Sequence, residues 1–195
     1  MPSPATINFT DGDSGYVQKL GVNYTIGTGA SVCVISKNST TGLDKRAVFR
    51  FPTAGVIGPD VSISLVEFFN RFNTAQPTPE TNSSRSQLGA WCQATLDASN
   101  NDWAHSGSTN LGIAMHAEAD GTWIDLAAGG ADPTTLINLD PTTNSGITDL
   151  MFVDQSIAVG TTGKNWNALK SKCQLRVTYA DIWNGATQVA VFTSL

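Results

Sequence analysis

Aromatic and polar side chains that suit sugar binding lie close together in the middle of the chain. Residues 100–105 include Asn101, Asp102 and Trp103, and Trp123 follows further along. Sugar rings stack on aromatic faces while carboxylates and amides bond their hydroxyls, so such a platform with a few polar groups is typical of a ligand site. We predict that any ligand contacts these four residues. The alternative is that the tryptophans fill the core, because Trp is highly buried on average.

Two carboxylates near the start of the chain offer a metal site. Asp11 and Asp13 stand in the loop DGDSG, which has the first positions of a calcium loop. An EF-hand needs Glu at its twelfth position, where this chain has Val22, and calcium takes six or more oxygens. A structural calcium ion on Asp11 and Asp13 is one hypothesis, and an ordinary Asp-Gly turn is the other. No other cofactor is expected.

Catalytic machinery is not indicated, and we expect a protein that is not an enzyme. Asp102, His105 and Ser106 have the residue types of a triad, but three near neighbours in one loop seldom converge in space. No nucleophile elbow accompanies them. Paired carboxylates for glycoside hydrolysis meet only in the folded chain, so a polysaccharide-active enzyme stays the third alternative.

Charge and composition limit the classes of partner that the chain is expected to bind. The net charge is −5, and no basic residue occurs between Arg85 and Lys164, where many Asp residues lie. We expect no nucleic-acid partner, because phosphate binding takes clustered Lys and Arg. We also expect no membrane association and no signal peptide, since no long apolar run is present. Cys33, Cys92 and Cys173 show no C-x-x-C pair, which predicts small apolar packing groups and leaves a single disulfide open.

Short alternating strands between turn residues must position these groups. Residues 47–51 alternate with Ala47, Phe49 and Phe51 on one face, which is typical of a half-buried strand. The whole pattern predicts an all-β fold, a single antiparallel β-sandwich (jelly roll) spanning residues 1–195. Residues 1–10 and 180–195 are candidates for terminal arms used in assembly. The alternative, which we favour slightly for the final strand, is pairing within the chain's own sheet. The predicted core comprises Phe49, Phe51, Phe68, Val177 and Tyr179.

Several segments carry strand predictions of differing clarity. Residues 60–73 fit either a helix, with Leu65, Phe68, Phe69 and Phe72 on a stripe, or a strand with a β-bulge near Leu65. Residues 135–139 are predicted as a strand. Residues 158–172 are predicted to be irregular, with one or two helical turns in residues 165–172 as the alternative. Residues 21–30 are predicted to form a Gly-rich loop between two strands. Residues 181–185 are predicted to form a turn before a final strand.

Several short motifs of the chain together match the pattern of a known family: Gly15-Tyr16-Val17, Arg46–Phe51, Pro59 with Ile63–Phe72, Trp91, Trp103 and Leu175–Tyr179. Through these motifs the chain resembles the DNRLRE-type jelly-roll modules, a family close to carbohydrate-binding modules of surface proteins. The resemblance covers most of residues 11–179 and favours the strand for the ambiguous segment. It implies a jelly roll and carbohydrate binding.

The sequence thus leads to a hypothesis and two alternatives. The hypothesis is a structural protein on the virion surface, made in the host cytoplasm: a phage head-decoration, fibre or tail-adhesin subunit. Its partners would be further copies of the chain, with a trimer favoured, and capsid or tail proteins. The first alternative is a carbohydrate-binding module that takes a polysaccharide, and the second is the polysaccharide-active enzyme.

Overall fold

Twelve strands and one short 3₁₀ helix make up the described part of the chain. The computed structural model describes residues 6–7, 14–20, 23–27, 32–38, 43–54, 56–69, 86–91, 111, 121–142, 146–154, 164–169, 172–183 and 185–194. The strands are β1 Thr6–Ile7, β2 Gly15–Leu20, β3 Asn23–Gly27, β4 Val32–Asn38, β5 Leu43–Pro52, β6 Val61–Phe69, β7 Ser86–Trp91, β8 Trp123–Asp125, β9 Ile147–Asp154, β10 Lys164–Leu169, β11 Gln174–Asp181 and β12 Thr187–Thr193. The 3₁₀ helix is Pro133–Leu136.

The strands form two sheets that pack as a β-sandwich, so the predicted all-β antiparallel sandwich is confirmed. Sheet A has five strands in the order β1-β12-β11-β6-β8, and sheet B has seven. The described pairings are antiparallel except β1 with β12. In sheet B, β2 lies along one edge of the long β5, while β4 and β9 share the other edge. None of the helices described in the structure could cross a membrane.

The core lies between the two sheets, where the predicted aromatic residues meet. Phe49 of β5 packs edge-on against Phe68 of β6, with ring centroids 5.1 Å apart, an arrangement that adds to the gain from burial. Cys173 packs in the same core outside any disulfide, as a small apolar group. All five predicted core residues are buried, namely Phe49, Phe51, Phe68, Val177 and Tyr179.

The ambiguous segment is a strand with the expected bulge. Along β6, Thr178 of β11 lies opposite Leu65, whereas the next residue, Tyr179, lies opposite Ile63. Ser64 is therefore the extra residue, and its hydroxyl donates a hydrogen bond to the Thr178 carbonyl at 3.2 Å. A bulge shifts the alternation by one position, so Ile63 and Val66 both reach the core. Because of this shift, the apolar residues on the two sides of Ser64 lose their strict alternation, and their spacing in the sequence resembles that of a helix.

Three local predictions were wrong. The segment Asn23–Gly27, placed in a loop, is β3 and pairs with β2. The segment Lys164–Leu169, placed in irregular chain, is β10 and pairs with β4. In both cases the partner strand supplies hydrogen bonds that local propensity does not reveal. The predicted strand at 135–139 begins instead as the 3₁₀ helix, because Asp132 caps it and Pro133 occupies its first turn.

Residues 47–51 of β5 are buried on both faces, which corrects the half-buried prediction for this segment. Val48 and Arg50 point away from the core of Phe49 and Phe51, yet they are as buried as those residues. Met151, which lies opposite Val48, is buried as well. Sheet B is therefore covered on its outer face at this point. Asp149, one of the Asp residues in the segment without basic residues, shares that burial and so does not contribute to an acidic surface.

The last strand pairs inside its own sheet. β12 lies between β11 and β1, with Phe192 opposite Leu175 on one side and Ile7 on the other. Ala190 and Phe192 point into the core. β12 thus pairs along its whole length with β11 and, at Val191 and Phe192, with β1, which places it inside its own sheet. The exposed large apolar side chains of this segment are Ile182 and Trp183 at the turn and Val189 on β12.

The cap of the 3₁₀ helix gives a pH-dependent prediction. The Asp132 carboxylate accepts hydrogen bonds from the Thr134 hydroxyl at 2.8 Å and the Thr134 N–H at 2.9 Å. These bonds lower the pKa of Asp132 below its ordinary value, the hydroxyl bond most strongly. A lowered carboxyl pKa stabilises the fold above the unfolded-state pKa, and this stabilisation disappears as the pH falls through the lowered pKa. We expect a carboxyl-carbon NMR titration to show the low value, and Thr134→Ala to raise it.

Thr135 provides the control for that titration. Its hydroxyl donates to the backbone carbonyl of Asp132 and not to the carboxylate. Thr135→Ala should therefore leave the pKa of Asp132 where it is. Equal shifts in the Thr134→Ala and Thr135→Ala variants would contradict the assignment to the Thr134 hydroxyl.

Candidate functional site

The structure describes one of the six residues predicted to bind a ligand or metal. Trp123 lies on β8. The other five lie outside the described residues: Asp11, Asp13, Asn101, Asp102 and Trp103. In the part of the chain that the structure describes, no three His, Cys, Asp or Glu side chains are placed to hold a metal ion.

Trp123 stands half-buried on the outer face of sheet A. Its neighbour Ile124 points into the core, so Trp123 faces away from it. Phe69 of β6 lies directly opposite Trp123 in the register. The two rings are tilted at 48° with centroids 5.1 Å apart. The sequence suggested two positions for Trp123, an open aromatic platform or the core, and the observed position matches neither of them fully.

A fixed ion pair covers part of the Trp123 ring. Arg176 of β11 lies opposite Glu67 of β6 and bonds it through two nitrogens, Nε at 2.6 Å and Nη2 at 2.7 Å. The guanidinium carbon lies 4.1 Å from the centroid of the Trp123 ring, a cation–π contact. The hydrogen bond to Glu67 raises the pKa of Arg176 above its ordinary value. We call Phe69, Trp123, Arg176 and Glu67 the outer-face cluster.

The outer-face cluster links three strands of sheet A. Trp123 belongs to β8, Phe69 and Glu67 to β6, and Arg176 to β11. Because the guanidinium occupies one face of the Trp123 indole, a sugar ring can stack only on the other face. Sequence reasoning missed Arg176 and Glu67, which are 109 residues apart in the chain. Their pairing becomes visible only once the register of β6 and β11 is known.

The most exposed aromatic side chain in the described structure lies at the turn between β11 and β12. Trp183 is 83% exposed and its neighbour Ile182 is 58% exposed. We call these two residues the hairpin tip. Contiguous exposed apolar patches on soluble proteins mark interaction sites, whereas single exposed apolar residues are normal. The turn was predicted from the sequence, whereas the exposure of Trp183 runs against the usual burial of Trp.

Hydrogen bonds hold the hairpin tip in one conformation. The Asp181 carboxylate accepts the Trp183 N–H at 2.7 Å, and the Asp181 carbonyl accepts the Gly185 N–H at 2.8 Å. Gly185 has a φ of +65°, which favours glycine. On the other side, the Ile182 N–H donates to the Asp60 carbonyl at 3.3 Å. These hydrogen bonds restrain the backbone that presents Ile182 and Trp183.

Comparisons with known proteins return no match. No protein-family model, curated protein or solved structure matches the chain. The outer-face cluster and the hairpin tip are therefore interpreted from their chemistry. The outer-face cluster has its polar groups paired with one another. The hairpin tip has its two apolar side chains in solvent on a hydrogen-bonded turn.

Proposed function

We propose that the chain is a non-enzymatic structural protein of a virus particle, which works by protein–protein contact through the hairpin tip. It would be a head-decoration, fibre or tail-adhesin subunit on the virion surface. Its partners would be further copies of the chain and capsid or tail proteins. The observation that carries the proposal is the 83% exposure of Trp183 on an ordered turn.

The hairpin tip has the energetic properties of an interface hot spot. Burying an aromatic side chain removes roughly 150–250 Å² from water, worth about 4 kcal/mol at roughly 25 cal/mol per Å². Hot spots cost about 2 kcal/mol or more when truncated, and Trp is enriched among them. The hydrogen bonds that Asp181 accepts from the Trp183 and Gly185 N–H groups reduce the ordering cost of binding, because the turn is already formed.

The virus-particle part of the proposal is supported by composition. Charged residues make up 14% of the chain, and a single turn-rich sandwich accounts for the described strands. A low-charge sandwich with an ordered apolar tip suits a subunit that repeats on a surface and is held by its neighbours. The same features provide a rigid scaffold on which the tip keeps a fixed position relative to both sheets.

We expect Trp183→Ser to weaken attachment to the particle about 30-fold, which corresponds to roughly 2 kcal/mol. The measurement is co-sedimentation of purified chain with particles grown without its gene, after mass spectrometry has located the chain in normal particles. The variant should keep its melting temperature, because the side chain it loses is solvent-exposed.

Val189→Ser is the matched control. Val189 is another exposed apolar residue on the same hairpin, but it lies within β12 and not at the tip. It should leave attachment unchanged. Normal attachment of Trp183→Ser, or absence of the chain from purified particles, would refute the proposed function.

A further inference from the structure

The inner face of sheet B extends beyond the core at the start of β5. Tyr16 of β2 lies opposite Ala47, which is fully buried in the core. Opposite residues in an antiparallel pair share a face, and so do alternate residues along a strand. Leu20 and Lys45 are therefore on the same face as Ala47. Yet Leu20 is 46% exposed, and Tyr16 and Lys45 are only partly buried, so the described strands of sheet A leave this part of the face accessible to solvent.

This uncovered part combines apolar surface with one cation. The Lys45 ammonium lies 4.5 Å from the centroid of the Tyr16 ring, in a cation–π contact that fixes its position. On the same face of β2, Leu20 supplies a second apolar side chain, and the polar Gln18 lies between it and Tyr16. We call Tyr16, Leu20 and Lys45 the inner-face ledge. Such a surface is complementary to apolar side chains that have a carboxylate next to them.

The hairpin tip has that complementary chemistry. Asp60 is exposed and Asp181 is half-exposed, and both lie directly at the base of Ile182 and Trp183. Two carboxylates thus stand beside two apolar side chains. Matching of charge and apolar surface in this way directs which surfaces associate.

The tip and the ledge lie at opposite ends of the sandwich. β5 starts next to the ledge and ends at Pro52, and the short connection 53–60 brings the chain to the start of β6. Val61, the first residue of β6, lies opposite Asp181 at the base of the tip. The tip is therefore at the end where β5 finishes, and the ledge is at the end where β5 begins. One copy cannot place its own tip on its own ledge.

We propose that the inner-face ledge receives the hairpin tip of a second copy of this chain. The inference rests on the proposed function and names the partner of the same tip. Trp183 and Ile182 would cover Leu20 and Tyr16, and Asp60 would approach Lys45. Because the two surfaces differ and face opposite ways, the contact is head-to-tail, and its repetition gives a closed ring or a filament.

A complementation experiment tests this pairing. Sedimentation velocity of the purified chain should show assemblies that dissociate on dilution. Trp183→Ser removes the tip and Leu20→Glu removes the ledge, so each variant alone should be monomeric, with self-association at least tenfold weaker. An equimolar mixture should form a dimer and nothing larger, since each variant keeps the surface that the other lacks. Two variants that stay monomeric when mixed would overturn the proposal.

Charge reversal provides a second, independent readout. Lys45→Glu alone and Asp60→Lys alone should each weaken assembly, whereas mixing the two variants should restore assembly with the two variants alternating, because each tip then meets a ledge of opposite charge. Val189→Ser, which changes neither surface, should assemble as the unmodified chain does. If the Leu20→Glu and Lys45→Glu variants assemble as the unmodified chain does, the tip binds another surface and the inner-face ledge is not its partner.

The two proposals fail in different experiments. A chain that is monomeric at all concentrations, while Trp183→Ser still abolishes attachment to particles, would overturn the second copy as occupant and leave the proposed function standing. A chain whose Trp183→Ser variant loses self-assembly but still attaches to particles would support the ledge and overturn the tip as the particle contact. At concentrations too low for assembly, circular dichroism of every variant should show the melting profile of the unmodified chain, because the substituted side chains are exposed or partly exposed.

Discussion

Asp149→Ala is expected to destabilise the fold by about 3–5 kcal/mol, the cost of leaving one member of a buried ion pair without its partner. Asp149 of β9 lies opposite Arg50 of β5, and its carboxylate accepts the Arg50 Nε–H at 3.0 Å. Both side chains are almost fully shielded from solvent. Urea unfolding monitored by tryptophan fluorescence would measure the loss.

The surroundings of Arg50 explain why the loss should be large. Its backbone N–H donates to the buried Ser14 hydroxyl at 2.9 Å, so the strand is fixed at this point and the side chain has little freedom to reach water. Without Asp149 the guanidinium would keep its charge in a region of low dielectric constant, where an unpaired charge is costly. The double variant Arg50→Met with Asp149→Leu should recover most of the loss, because it removes both charges together.

The second ion pair of the sandwich is the control. Arg176 and Glu67 bond through two nitrogens, but their side chains are 31% and 14% exposed. Solvent screens such a pair, so Glu67→Ala should cost about 1 kcal/mol or less. Equal losses in Asp149→Ala and Glu67→Ala would show that burial of the Arg50 pair does not determine its contribution.

The sequence predicted the strands that alternate cleanly and the residues that fill the core. β5 and β11 show how far this goes, since their inward residues follow directly from period-two patterning. That pattern assigns Arg50 to a face but cannot reveal that the face is covered. The pairing of Arg50 with Asp149 joins residues 99 apart, and only the register of β5 and β9 brings them together.

Shorter or less regular elements depended on their partners. β10 has the sequence KNWNAL, which lacks the β-branched residues that favour strands, and its state follows from pairing with β4. The bulge at Ser64 interrupts the alternation in β6, so the sequence pattern also fitted a helix. At the hairpin tip, Asp181 and Gly185 indicated a turn correctly. The outward position of Trp183 could not be predicted, because average burial of Trp argues for the opposite.

Phe49→Ala is the second change with a large expected effect, a loss of about 3–5 kcal/mol, the usual range for truncating a buried Phe. Phe49 is fully buried between the sheets and meets Phe68 edge-on, so its removal opens a cavity and forfeits an aromatic contact. For a chain of this length, 1 kcal/mol corresponds to roughly 2–4 °C in Tm. The variant should therefore melt about 10 °C lower.

The measurement is cleanest in the Trp183→Ser background, because self-association would otherwise add to the apparent stability. Phe69→Ala is the matched control: it removes the same atoms from β6, but from the outer face, where Phe69 is only half-buried against Trp123. Its loss should be about 1–2 kcal/mol, in keeping with partial burial. A loss below ~1 kcal/mol for Phe49→Ala, the scale of an ordinary surface change, would mean that Phe49 does not face the core. The inner face of β5 would then be misassigned, and with it the ledge that continues that face to Lys45 and Leu20.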